Sequence, residues 1–245
     1  MLALRGLTNQ IDYVVLSMDI PFQTVNGIYA NGTTSALFYG LHTMNEINSY
    51  AGSEMIFSRA KPSTPSGSAF LTVMITGDSL ARAKQLVDQG VAGDGTFPDS
   101  PVILARSSDP MRNVRHSSFD DALFNVWLHG GYRLVRTNSD VTSGLSNLLG
   151  YQTALAGFNV SPGTFVAGAI ADSMTSFGGV IFGPNGQTSL LEFIKAGAAG
   201  SYGTVTEPYV DPEKFPSPQV YFYQARGFTL AECYYQSLVI PFQGL

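Results

Sequence analysis

Apolar residues along this chain fall into short runs separated by polar turns, and strand-like and helix-like periods alternate. Residues 11–20 (IDYVVLSMDI) form a β-branched run halted by Pro21, which predicts a buried strand ending in a loop. Residues 69–76 (AFLTVMIT) are a second continuous apolar run. Gly77-Asp78-Ser79 follows, then Leu80, Ala83, Leu86 and Val87 at helical spacing, with Asp78 or Ser79 as the expected N-cap. Strand, tight turn and capped helix in this order make a βα unit. The pattern recurs with a strand at 101–105 (PVILA) and a helix opened by Ser118, with Asp120 and Asp121 in its first turn. Leu123, Val126 and Trp127 would line the buried side of that helix, and Gly130-Gly131 would stop it. A strand at 132–137, apolar runs at 148–156 and 164–171, a helix at 188–196, a small-residue strand at 198–205 and a helical stretch within 219–238 complete the series.

Strands that alternate with helices favour parallel pairing through right-handed crossovers. The expected fold is therefore a single α/β domain over 1–245, a mostly parallel sheet flanked by helices. Residues 22–67 break the rhythm. Asn26-Gly27 and Asn31-Gly32 are turn signals, and residues 61–67 (KPSTPSG) read as a loop. This stretch is expected to run over the surface with one short helix near 36–41.

Composition narrows the function classes. Hydrophobic residues are 44% of the chain and charged ones 13%, about half the usual charged share, so the chain has ample apolar surface to offset its conformational entropy. At 245 residues a single core buries roughly 70% of the unfolded surface. Its surface must then be built from Ser, Thr, Asn, Gln and Gly, as in many exported proteins. A net charge of −5 without any Lys/Arg cluster removes the electrostatic footprint of nucleic-acid binding and of a polybasic membrane patch. No apolar run approaches the ~20 residues of a transmembrane helix, and no basic start followed by a long apolar run marks a signal peptide. The chain opens almost directly into structure and so reads as a truncated piece of a longer protein. Cys233 is its one cysteine, which excludes an intrachain disulfide and a multi-cysteine metal site.

In open parallel sheets, ligands bind beyond the carboxyl ends of the strands. That rule singles out Asp19, Gly77-Asp78, Ser107-Ser108-Asp109 and, above all, two hydroxyl-rich turns at 172–179 (DSMTSFGG) and 201–207 (SYGTVTE). Asp172 and Glu207 are the acid–base candidates, and Ser173 or Ser201 the nucleophile. Asp19, Thr175, Ser176, Tyr202 and Thr204 are candidate ligand contacts. The plain alternative is that these hydroxyls satisfy loop backbone. His129 is expected to cap a helix end, while His42 and His116 have no partner motif. Three scattered histidines make a zinc site improbable, and no cofactor is expected. Asp19, Asp172, Glu207 and Asp211 carry oxygen ligands suited to calcium, but without EF-hand-like spacing. Cys233, inside an amphipathic helical stretch, is expected to be a buried structural thiol. Tyr221, Phe222, Tyr223, Tyr234 and Tyr235 are expected to pack. GxSxG, P-loop and GxGxxG patterns are absent from the sequence.

Two resemblances add expectations. The final third, with ADSMTSFGG, GQTSLLEFIKAGAAGSYGTVTEPY, KFP and AECYYQSLVIPFQGL, together with IDYVVLSMDIPF near the start, resembles an uncharacterised bacterial conserved-hypothetical family. That family occurs with exosortase-type sorting systems, which implies a periplasmic or extracellular location. Its members usually continue into a short Asp-Pro-Leu tail. The segment SAFLTVMITGDSLARAKQLVDQ is similar to the strand–turn–helix of gingipain-type cysteine peptidases, which implies a caspase-like fold, and the expected architecture is a caspase-like or flavodoxin-like three-layer sandwich. On that analogy residues 150–157 (GYQTALAG) stand where those enzymes carry His-Gly, and residues 169–179 (AIADSMTSFGG) where they carry the nucleophilic cysteine. Neither residue is present here, and a Cys-His dyad needs a thiolate beside its activating base. The expected role is binding or assembly, of an unknown protein or small-molecule ligand, with a Ser/Asp/Glu hydrolase as the alternative.

Overall fold

A computed structural model describes residues 11–42, 70–120 and 133–245 of the chain. In chain order the strands and helices are β1 (Tyr13–Leu16), β2 (Gln23–Asn26), β3 (Tyr29–Gly32), α1 (Thr33–Tyr39), β4 (Leu71–Met74), α2 (Leu80–Gly93), β5 (Pro101–Ala105) and β6 (Arg133–Thr137). They continue with β7 (Leu148–Thr153), β8 (Phe165–Ser173), α3 (Leu190–Lys195), β9 (Gly200–Tyr202), α4 (Gln219–Gln224) and α5 (Leu230–Ser237). Two 3₁₀ segments, Pro110–Ser118 and Pro212–Lys214, are each opened by an aspartate, Asp109 or Asp211, whose carboxylate accepts a backbone N–H.

The main sheet has five strands, all parallel, in the order β6-β5-β7-β8-β9. Counted from β5 this is the order 2-1-3-4-5 of one doubly wound class, and it places the reversal of strand order between β5 and β7. Every residue of β7 is buried, as a central strand covered on both faces requires. Tyr151, Phe165, Ala169, Ala171 and Phe193 pack on the α3 side. Val102, Leu104, Ile170, Tyr202, Tyr221 and Tyr234 pack under α4 and α5. Leu86 of α2 joins Leu190 and Ile194 of α3. Helices on both faces of a parallel sheet make this an α/β three-layer fold.

Helix α2 lies backbone to backbone on the sheet. A Cβ on Gly93 would stand 2.4 Å from Gly168 Cα, and Gly168 itself has φ +81°. Ser79 caps this helix, its hydroxyl accepting from Arg82 N at 3.3 Å. Of the helical-spacing residues only Ala83 is buried, and Leu80 and Val87 are exposed.

The first part of the chain forms smaller units. Strands β1 and β4 make a separate two-stranded parallel pair, and β2 and β3 a hairpin. β1 is not the buried strand its composition suggests, since Tyr13 and Val15 are exposed. It has one strand neighbour and alternates toward solvent, whereas a buried run needs cover on both faces. Helix α1 is buried over Thr34–Tyr39, with Phe38 and Tyr39 against Tyr235 and Phe242, inside the stretch read as a surface excursion. Ser118 closes a 3₁₀ segment, its hydroxyl donating back to the Arg115 carbonyl at 2.7 Å, and α-helical residues begin directly after it at Phe119 and Asp120. The rest of the expected helix there, with Asp121, Trp127 and His129, and the loop at 61–67 lie outside the described residues.

Candidate functional site: the carboxyl rim of the sheet

Because β8 and β9 are parallel neighbours, the turns that follow them leave the same edge of the sheet. They meet backbone to backbone. A Cβ on Gly203 would stand 2.3 Å from both Gly178 C and Gly179 N, so only glycine allows this approach. Gly179 N donates to Thr204 O at 2.9 Å, and Thr204 Oγ1 donates to the carbonyls of Thr175 (3.0 Å) and Ser176 (2.9 Å). Thr175 Oγ1 donates in turn to Thr188 O at 3.2 Å, and Ser173 Oγ to Leu155 O at 3.0 Å. Tyr202 OH donates to Lys214 O at 2.9 Å. The hydroxyls that pattern alone offered as chemistry bind the rim together.

Beneath them lies a charge pair. Asp172 is fully buried, and its carboxylate accepts from Arg115 Nη1 at 2.5 Å and from Gln152 Nε2 at 3.0 Å. Arg115 Nη2 donates to Thr153 O at 2.8 Å, and both Arg115 and Gln152 reach Pro216 O. Burial pushes the Asp172 carboxyl up, and the Arg115 guanidinium and the Gln152 amide pull it down. The guanidinium comes from the 3₁₀ segment after β5, the amide from β7 and the carboxylate from β8. One hydrogen-bonded knot therefore fastens three strand ends where the strand order reverses.

A cleft of about 310 Å³ opens outside this knot. Thr175, Ser176 and Glu207 line it with Met111, Arg112 and Tyr209. Met111 and Tyr209 are 64% and 65% exposed. Glu207 is exposed, and its Oε1 accepts from Tyr209 N at 2.9 Å. Tyr209 adopts a left-handed φ of +58°. Behind it the buried Lys214 Nζ donates to Pro208 O at 3.0 Å and lies 5.8 Å from the Tyr209 ring. Burial lowers the Lys214 ammonium pKa, against the pull of Asp211 and Glu207.

The sequence-derived candidates thus separate into four places. Thr175, Ser176 and Glu207 share the rim cleft. Asp172, Ser173, Tyr202 and Thr204 are buried in the structure that supports it. Ser201 lies on a different cavity, beside β4. Asp19 is exposed in a left-handed turn after β1, at the end of the smaller parallel pair. Arg115, Gln152, Arg112 and Tyr209 were not singled out by pattern. An amide in the middle of LLGYQTALA was a usable signal, because a buried polar group demands a partner; Arg115 offered none.

The histidines and the cysteine have plain settings. His116 Nδ1 accepts from Arg136 Nη2 at 3.1 Å and Nε2 donates to Thr137 O at 3.2 Å, a neutral tautomer whose pKa burial lowers. His42 stacks on Phe242 with centroids 3.9 Å apart. Cys233 is fully buried, and burial pushes its thiol up to about 12. Among the described residues no three of His, Cys, Asp or Glu gather as metal ligands, and no helix is long and apolar enough to cross a membrane. No family model, curated protein or solved structure matches the chain.

Proposed function

We propose that this chain is a binding protein on a caspase-like scaffold whose catalytic place is closed by an ion pair. The observation that carries the reading is the Arg115–Asp172–Gln152 knot. It lies at the ends of β7 and β8, the strands after which the resemblance to gingipain-type peptidases expects histidine and cysteine. The carboxylate there is spent on a guanidinium and an amide, and Ser173 beside it is spent on a carbonyl. A nucleophile needs a base within reach and a path for substrate, and these buried groups have neither. What the rim offers outward is a shallow surface of Met111, Tyr209, Arg112 and Glu207. A methionine, an aromatic ring and both signs of charge suit the side chains of a protein partner. The resemblance to the family found with exosortase-type systems supports an envelope or exported setting for that partner.

Exhaustive labelling of the native protein with serine- and cysteine-directed electrophilic probes, read by mass spectrometry, tests this. The expected result is no labelling at Ser173 or Ser201 and no turnover of ester or peptide substrates. Stoichiometric labelling of either serine, abolished by heat denaturation, would overturn the binding reading in favour of a hydrolase.

A further inference from the structure

A second cavity, of about 360 Å³, lies away from the rim, in the seam between β9 and β4. β9 is the last strand of the main sheet and β4 an outer strand of the parallel pair, so two sheet edges face one another across it. Val73, Met74, Leu86, Ile194 and Leu230 give it an apolar wall. Not one of the residues lining it is Asp, Glu, Lys, Arg or His.

Some of the polar atoms on this wall behave like those of the rim and some do not. Thr72 Oγ1 and Tyr235 OH donate to backbone carbonyls. Thr76 Oγ1, Ser201 Oγ and Tyr234 OH are buried without any hydrogen-bond partner. Thr76 is 4% exposed and Tyr234 8%. Orphaned buried hydroxyls are costly and rare in folded proteins; Tyr234 OH lies toward Asp172 and Arg115, and a guest that turned the Thr76 and Ser201 side chains toward the void would pair both. An apolar pocket with a few polar groups is the usual form of a small-molecule site.

We infer that the β4–β9 seam binds a neutral, chain-like apolar molecule carrying a hydrogen-bonding oxygen, a medium-chain alcohol or its equivalent. Size sets the length. At about 30 Å³ for a water-sized group, the volume holds roughly a dozen non-hydrogen atoms. Chemistry sets the head group. A hydroxyl both donates and accepts, so it can serve Thr76 and Ser201 together. A carboxylate would enter with no cation to pair it, at the full cost of desolvating a charge. The seam therefore selects for alcohols over fatty acids, the reverse of a pocket headed by arginine.

The test uses 1-decanol and decanoate at pH 8 with the full chain, read by native mass spectrometry and by thermal shift. One decanol per chain is expected, with a saturable rise in Tm, and decanoate weaker by about 100-fold or more. Ser201→Ala and Thr76→Val remove the hydroxyls without filling space and should weaken decanol binding by about 3- to 10-fold each. Ser201→Leu fills the seam and should abolish binding. Gly90→Phe is a second blocker from the opposite wall, where a Cβ meets nothing within 4 Å, so it keeps the test open should Ser201→Leu not fold. Equal binding of decanoate and decanol, no binding of decanol, or binding untouched by the folded blockers would each overturn the proposal. The outcome does not depend on whether the rim is inert toward electrophilic probes.

Discussion

The carboxyl rim and the β4–β9 seam are both rich in hydroxyls, yet the seam leaves some of them unpartnered. At the rim Ser173, Thr175, Tyr202 and Thr204 all donate to carbonyls. In the seam Thr76, Ser201 and Tyr234 donate to nothing. The residue types are the same, and Thr76 and Tyr234 are buried like those of the rim. The difference lies in the neighbours: at the rim two loops touch and bring their carbonyls along, while in the seam two strand edges stand apart. A hydroxyl finds a partner where backbone crowds it and goes without one where backbone is held away.

The largest expected effect is at the knot. Arg115→Met leaves Asp172 buried without its cation and should cost about 3–5 kcal/mol, whereas Arg115→Met with Asp172→Leu should recover much of that loss. Urea denaturation midpoints of the two variants decide it; a single variant as stable as the double would show that the rim is not held by charge. Next, Gly203→Ala forces a Cβ into the backbone of the facing loop and should cost about 1–3 kcal/mol, while Gly157→Ala, with open space around it, should change little. Thermal melts of this pair ask whether loop contact distinguishes the rim.

The sharpest test of the contrast pairs one hydroxyl from each place. Thr204→Val should destabilise by about 1–2 kcal/mol, because it strips partners from two carbonyls. Thr76→Val should be neutral or stabilising by up to about 1 kcal/mol, because it removes a hydroxyl that has no partner. Equal costs would erase the distinction between the regions. The smallest effect concerns acid. Burial lowers the His116 pKa in the folded state, so below its unfolded value near 6.5 the unfolded chain binds more protons and stability falls as pH falls. Stability curves at pH 7.5 and 5.5 should show this decline, and His116→Gln should flatten it. No imidazole or side-chain carboxylate lines the seam, so alcohol binding should keep the same strength at both pH values.

Much of the main sheet was legible. Apolar runs with turn residues between them marked β5, β6, β7, β8 and β9, and their alternation with helices implied the parallel order. Ser79 was visible as a cap because a small hydroxyl before a helical period has one common use. The first part of the chain was less legible. β1 and β8 look alike as strings, and only tertiary neighbours decide that one is half exposed and the other covered. A short helix was expected near 36–41 and α1 lies at Thr33–Tyr39, but its burial was not legible, because its apolar face is short and aromatic partners from α5 and Phe242 complete it. The rim was located correctly as a meeting of two turns, but composition cannot say whether a hydroxyl faces a carbonyl or a void. Arg115 was invisible for a related reason: its partner lies 57 residues away in sequence, and no local spacing reports such a pair.

The Gly93–Gly168 contact has a mechanical corollary. With no side chains between helix and strand, α2 has nothing to slide over, and it forms a fixed wall of the seam. The opposite wall is β4, which is tied by its ladder to β1 and by Tyr235 to α5 but shares no strand pairing with β9. Any widening that admits a guest must therefore come from the β1–β4 pair swinging away, and the amides of Thr72 and Met74, which the ladder to β1 leaves on the seam side, should exchange with deuterium well before those of β7.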